Sequence, residues 1–372
     1  MALHRRTSAA ALPAALLVAL VAACAPAVVA PSATPVAVVT APPATPTPSP
    51  TPTPLPTPTP VPTPTPLSPE SHLTGLAVDP QLGHRTPIAV MLDDARAARP
   101  QSGFNGAAVV FQAPADGYET RYLLIYGEGD SKTVGPVRSA RFFLVQWSIE
   151  TASIIAHYGG DRKSRRFIHY EHRLMTDVDA LGKGAKAYHR IKTRRAPHNG
   201  YTSTKALRKQ GKKLGAPVLM AAGIQQRAFA DPSPLDARAL KQTIRVPYNT
   251  NVITWSYDRK SNLSRRSVDG RAQIDPADRK RVTATNVVVL FQKFRIDTKI
   301  EPGHARPVLK TTGTGRAWIY REGRLVKGKW VKERDVALTR LVDADGNEIP
   351  LIRGRTFFQV VPLGTKVTHK AR

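Results

Sequence analysis

Seventeen of the chain's 33 prolines fall between residues 25 and 69, and from Pro46 to Pro66 threonine and proline alternate almost without break. Such a stretch lacks the apolar residues to build a core. Proline fixes φ and removes amide donors, so the segment reads as a disordered tether biased to polyproline II. At about 3.1 Å per residue it reaches on the order of 140 Å. The tract therefore divides the 372-residue chain into what precedes it and a folded remainder from about Glu70.

What precedes it reads as an export leader over residues 1–23. Arg5 and Arg6 form a positive start, Ala9 to Ala23 a short apolar run, and Val21-Ala22-Ala23-Cys24 a small-residue cleavage site. The run is shorter than the roughly 20 residues that cross a bilayer. Cys24 is the one cysteine in the sequence. The small-small-Cys ending resembles a bacterial lipoprotein box, in which Cys24 becomes the lipidated mature N-terminus. Two or more acyl chains anchor a protein stably where one does not. This places residues 24–69 as a lipidated linker and the folded part at the outer face of a cell membrane. No later segment is apolar enough for a transmembrane helix. A disulfide within one copy is excluded.

The formal charge is +28, and the leader accounts for only two of the positive groups. A balance this basic favours polyanions. For an exported chain, the expected partners are an anionic wall polymer or a phosphorylated glycan, with the membrane reached through the lipid. Nucleic acid ranks last, because no basic motif interleaved with aromatic residues supports base recognition. Protein partners are a further reading, with the chain as a scaffold.

Short apolar runs bounded by turn residues recur at Ile88–Leu92, Ala107–Phe111, Tyr122–Tyr126 and Ser153–His157, and read as buried strands. Ser139–Glu150 reads as an apolar helix with Ser139 as its N-cap, and Thr202–Lys213 as a basic surface helix. Beyond Asp231-Pro232-Ser233-Pro234 the pattern becomes strands at Val252–Tyr257, Asn286–Phe294, Arg316–Tyr320, Arg324–Trp330 and Thr356–Val361, with hairpin turns at Arg321-Glu322-Gly323 and Asp345-Gly346-Asn347. The expected fold class is α+β. An α/β domain spans 70–235 and a mostly-β domain spans 236–372.

Unusual polar residues gather at the strand ends of the first half. Arg138 and Arg141, three apart, are expected to share a helix face with an anion between them, helped by the helix N-terminus. Arginine keeps its charge and offers a planar fork of donors. Arg99, Arg121 and Arg195 join them if the loops converge, with Ser139, His157, His198 and Asn199 completing a ligand-binding set. Asp93 and His198 are the candidate acid–base residues. A His-Arg-Asp set suits phosphoryl transfer or phosphodiester cleavage, where charge stabilisation dominates. The rival expectation is a set of structural arginines paired with Asp93, Asp116 and Glu119.

Other motifs fail on spacing. His169-Tyr170-Glu171-His172 lacks the i, i+4 histidines of a zinc protease helix. Gly182-Lys183-Gly184-Ala185-Lys186 has no Ser or Thr after the lysine in the P-loop frame. Asp343 to Glu348 lacks the full calcium ligand series. No metal centre is assigned, and the cofactor is unknown.

The Gly135–Arg141 run and Ala196-Pro197-His198-Asn199 carry a resemblance to the YerB-like family of bacterial surface lipoproteins. It extends over roughly Arg85 to Pro362 and includes Tyr257-Asp258, Asn286–Val289, Gly313-Thr314-Gly315 and Gly328-Lys329-Trp330. Asp94 stands where that family usually has Asn, and Asp116 where it usually has Glu. The resemblance implies a two-domain architecture and an envelope location, and implies no reaction. The strand followed by Arg-Ser-x-Arg is also loosely similar to wall-polymer phosphotransferases of the LytR-CpsA-Psr type.

Overall fold

The computed structural model describes residues 68–372 except Ala152, Pro302 and Arg372. The leader, Cys24 and the tether as far as Leu67 lie outside the described residues. Among the described residues no helix is long and apolar enough to cross a membrane.

One ten-stranded sheet runs through both halves of the sequence. In spatial order it comprises Arg340–Val342, Arg324–Lys332, Gly313–Arg321, Asn286–Gln292, Thr356–Pro362, then Val109–Pro114 (β2), Thr120–Tyr126 (β3), Ile88–Asp93 (β1), Ile154–His157 (β4) and Thr176–Asp179 (β5). The join is Thr356–Pro362. It pairs parallel with Asn286–Gln292 on one side and with β2 on the other, placing Phe357 against both Val287 and Val110. The central strands are buried on both faces, as their unbroken apolar runs predict. The outer pair Gly313–Arg321 and Arg324–Lys332 closes through Glu322 and Gly323, both at positive φ (53° and 72°). Two consecutive left-handed residues match the twist of a two-residue hairpin, and glycine takes the second without strain.

The sheet has a helix on each face. On one lies Phe142–Ser148 (α2, after the single turn α1, Pro80–Gly83), joined by Arg162–Tyr170 (α3). Trp147 stacks on Phe111 at 4.7 Å, and Phe111 on Phe358 at 4.4 Å, so this core draws on both halves. On the other lie Thr204–Lys213 (α4) and a second sheet built on Gln242–Pro247, Val252–Asp258 and Leu263–Val268. Its Ile244, Val246, Ile253 and Trp255 pack on Val90, Leu124 and Phe357 of the large sheet. Burial of side chains this size contributes about 1.5–3 kcal/mol each.

One of the two helix expectations changes. The apolar helix starts at Phe142, with Arg141 in the capping position and no side-chain cap. Ser139 is not its N-cap. Residues 137 and 138 instead follow β1 as extended chain, with Leu92 bridged to Val137 and the Arg138 amide donating to Met91 O at 2.8 Å. This pairing with β1 holds the two residues extended, so the helix begins only beyond Arg141. The basic helix agrees with its reading: Ser203 caps α4, its hydroxyl accepting from the Ala206 amide at 3.2 Å.

Candidate functional site

β1 ends in two adjacent carboxylates, Asp93 and Asp94. Side chains alternate across a strand, and the two acids diverge accordingly. Both are almost fully buried. Asp94 faces the second sheet and accepts five donors. Arg99 Nε (3.0 Å) and Gln101 Nε2 (2.8 Å) reach Oδ1; Gln112 Nε2 (3.1 Å), Asn251 Nδ2 (3.2 Å) and the Thr120 hydroxyl reach Oδ2. A carboxylate has about four lone-pair sites, so Asp94 is saturated and structural. Arg99 is held by it, donates again to its backbone carbonyl, and has an ion pair to Asp269 at 3.6 Å.

Asp93 has a different environment. Its Oδ2 accepts from His198 Nδ1 at 2.7 Å and forms an ion pair with Arg138 Nε at 3.2 Å; Oδ1 accepts the Ala95 amide at 3.1 Å. The carboxylate can only accept, so Nδ1 carries the proton and Nε2 is the free position. His198 is held there by its neighbour Arg194, whose guanidinium donates to Ala98 O (2.6 Å), Pro100 O (2.9 Å) and the Tyr201 hydroxyl (2.9 Å). The Val137 amide to Gly200 O bond (2.7 Å) closes the same loop onto the β1 end. The Nη groups of Arg138 form no hydrogen bond within the described residues, and Arg195, exposed on the His198 loop, has no ion pair there.

The other arginines surround Asp116. Its Oδ2 meets Arg121 Nη2 (2.8 Å) and Arg141 Nε and Nη2 (both 2.7 Å), and its Oδ1 meets Arg306 Nη1 (3.3 Å). Burial alone would raise the Asp116 carboxyl. The guanidinium groups outweigh it and hold the group below the usual carboxylate range. Burial, then the neighbouring Arg141, pulls Arg121 down to about 9, still charged at neutral pH. Arg121 also donates to Ser139 O at 2.7 Å, and Arg141 to Ala140 O at 2.6 Å. Arg138 and Arg141 therefore do not share a helix face: one serves Asp93 and the other Asp116. The expected anion between them, at a helix N-terminus, is corrected. The extended backbone at 137–138 separates them, and a carboxylate of the protein already occupies the Arg141 side.

Three more candidates are committed elsewhere. His157 is buried, with Nδ1 on Gly159 O at 2.7 Å and Nε2 on Asp177 Oδ1 at 3.0 Å. Both partners accept, an arrangement that favours the doubly protonated ring. Burial lowers its pKa, but the Asp177 hydrogen bond and charge, with Asp179, raise it on balance. A raised folded pKa stabilises below the unfolded value and loses that contribution as pH rises through the folded one. The melting-temperature gap between wild type and His157→Gln should therefore be wider at pH 5.5 than at pH 9; an equal gap contradicts the doubly donating ring. Asn199 accepts from Arg190 Nη1 at 2.5 Å and donates to Ile191 O at 3.3 Å, fixing its own loop. Ser139 contributes its carbonyl, and no hydrogen bond of its hydroxyl falls within the described residues.

Sequence reasoning placed Glu119 only as a partner of structural arginines and passed over its position in a cleft. Glu119 is half-buried, and its carboxylate has no hydrogen bond or ion pair within the described residues. Burial first, then the charges of Asp93 and Asp94, push it above the usual carboxylate range. It lines a cleft of about 860 Å³ with Arg96, Arg99, Asp269, Arg271 and Gln273. This cleft lies between the β1 end and the second sheet. The signal was its place two residues before Arg121, opposite Asp93, in a polar run bordering a strand. Among the described residues no group of three or more potential ligands is placed to hold a metal.

An α/β layer and an antiparallel layer sharing one sheet, with a buried aspartate holding a histidine and an arginine at a strand end, define a two-part class of α+β protein. Residues 73–217 match the family described as "Protein of unknown function (DUF3048) N-terminal domain", and residues 244–358 its C-terminal counterpart. The chain is 28% identical over 295 residues to "Putative lipoprotein YerB" of Bacillus subtilis (strain 168), covering 78% of this chain and 85% of that one. The crystal structure of the YerB protein from Bacillus subtilis superposes with a TM-score of 0.71 at 26% identity, over 81% of this chain and 99% of that one. The chain belongs to this YerB-like two-domain family.

Proposed function

We propose that this protein is a lipoprotein held through Cys24 at the outer face of the cell membrane, and that it binds an anionic, phosphorylated envelope ligand at the β1 end. The leader, the strongly basic chain and the name of its relative support the location. One observation carries the site: Asp93, nearly fully buried, orients both His198 and Arg138 while His198 Nε2 and the Arg138 Nη groups keep their donors and acceptors unspent. Arg195, exposed on the same loop, adds charge. A preorganised pair of this kind binds phosphate without first breaking internal contacts. Arg121 and Arg141 act as a brace around Asp116, behind this face. In calorimetric titration of the purified full-length chain with poly(glycerol phosphate), Arg138→Ala should weaken binding about tenfold or more, since one charge-assisted contact is worth roughly 1.5–3 kcal/mol. Equal affinities for wild type and the Arg138→Ala/Arg195→Ala double variant would end this reading.

A second reading, hydrolysis of a phosphodiester or glycan-phosphate bond, draws on the 2.7 Å Asp93–His198 contact and on Glu119. In it His198 Nε2 takes a proton from water as its oxygen bonds to phosphorus. Arg138 neutralises the developing charge, and Glu119, its carboxyl pushed up by burial and by Asp93 and Asp94, is the candidate donor of the proton to the departing oxygen as its bond to phosphorus breaks. Product formation that disappears in His198→Ala would select this reading over binding alone. A scaffold for envelope proteins is the remaining alternative, and crosslinks to proteins without polymer would favour it.

A further inference from the structure

On the α2 face, away from the second sheet, a groove of about 650 Å³ runs between α3 and the hairpin of Phe294–Glu301 and His304–Leu309. α3 presents Lys163, Arg166 and Tyr170 to it at helical spacing, while Ser164 and Ile168 face inward. Lys163 Nζ sits 3.8 Å over the Phe142 ring, and the Arg166 guanidinium 5.3 Å from the Tyr170 ring. Phe167 closes edge-on against Phe142 at 5.2 Å. The facing wall supplies Lys310 and Thr311.

Three properties of this groove point to a ligand. Lys163, Arg166 and Lys310 have no carboxylate partner within the described residues, while the lining acid, Asp335, is engaged by Gln146 Nε2 at 2.6 Å. The walls are aromatic, and Tyr170 is 62% exposed. Thr311 is 2% exposed, yet its hydroxyl has no hydrogen-bond partner. A buried unpartnered hydroxyl costs stability, so a packing role alone would favour valine. We propose that this groove binds a strand of glycan bearing phosphate, sulfate or carboxylate groups. Its anions meet the three cations, the C–H faces of its sugars lie on the aromatic walls, and a sugar hydroxyl completes Thr311. A phosphatidylglycerol headgroup presents no comparable series of sugar rings. The groove is separate from the Asp93 site, and the inference does not depend on the ligand proposed there.

The test titrates the full-length chain at low salt with a heparin hexasaccharide, with neutral dextran, phosphatidylglycerol vesicles and oligo-thymidine as comparison probes. Arg166→Ala/Lys310→Ala should weaken heparin binding about tenfold. Lys209→Ala/Lys212→Ala on α4 should stay within about twofold of wild type. Thr311→Val should weaken binding about threefold with an unchanged or raised melting temperature. Three results would overturn the proposal. One is equal heparin affinity for wild type and Arg166→Ala/Lys310→Ala. Another is loss of vesicle or oligonucleotide binding in that variant with glycan binding intact. The third is a Thr311→Val variant that melts lower and binds as before.

Discussion

Replacing Glu150 by glutamine should destabilise the protein by about 3–5 kcal/mol, seen as a lower urea midpoint with an unchanged slope. Glu150 lies just after α2, buried under the large sheet. Its Oε1 accepts from Lys332 Nζ at 2.8 Å and the Thr339 hydroxyl at 2.6 Å, and its Oε2 from Arg227 Nη2 at 3.0 Å. Lys332 is fully buried, and burial lowers the Arg227 guanidinium. Glutamine keeps the shape and removes the charge paired directly with both cations. An uncompensated buried charge costs more than the pair contributed. The partner that removes the excess cation, Lys332→Met, should restore part of the loss in the double variant. Because Glu150 comes from the first half of the chain and Lys332 from the second, both halves should melt together, read by fluorescence and by amide exchange. A loss below about 1 kcal/mol, or separate transitions, would contradict this description.

Asp93→Asn carries the largest functional effect. The amide preserves volume but can turn its NH₂ toward His198, favouring the tautomer with the proton on Nε2, and it removes the charge beside Arg138. Ligand affinity should fall by tenfold or more, matching Arg138→Ala. If the site turns over substrate, the rate should fall by about 10⁴, the scale set by tautomer loss in a histidine–aspartate pair. Asp94→Asn, one residue on, should act on stability and leave binding within about twofold. The histidine Nε2 signal in ¹⁵N NMR of labelled protein reads the tautomer directly. An unchanged tautomer with full binding in Asp93→Asn would remove the basis for the site.

Much of the secondary structure was legible from local pattern. The runs at Ile88–Leu92 and Tyr122–Tyr126 appear as β1 and β3, and Asn286–Gln292 and Thr356–Pro362 as central strands, because double-sided burial demands unbroken apolar sequence. Asp93 and His198 were both singled out as acid–base candidates, 105 residues apart, and the fold brings them into contact. The assignment of the arginines was not legible. A guanidinium at the end of a strand looks the same whether it serves a ligand or a neighbouring carboxylate, and local sequence does not encode which acid it meets. Arg121 and Arg141 meet Asp116 together with Arg306, from a hairpin 190 residues away. Ser139 was read as a cap because Ser before an apolar run usually is one. Pairing of residues 137–138 with β1 overrode that preference.

By itself, the sequence determined the strongly basic charge, the strand and turn periodicities, the α+β class and the leader-like pattern ending at Cys24. These follow from short-range chemistry: side-chain alternation, proline geometry and composition. Only the tertiary structure decided that Thr356–Pro362 would lie between Asn286–Gln292 and β2, making one sheet of two sequence segments. Only it decided that Asp94 would be spent on five donors while its neighbour Asp93 kept a histidine and an arginine poised at the surface. Both outcomes depend on pairing between residues distant in the chain, where the energy of burial rather than local preference selects the partner.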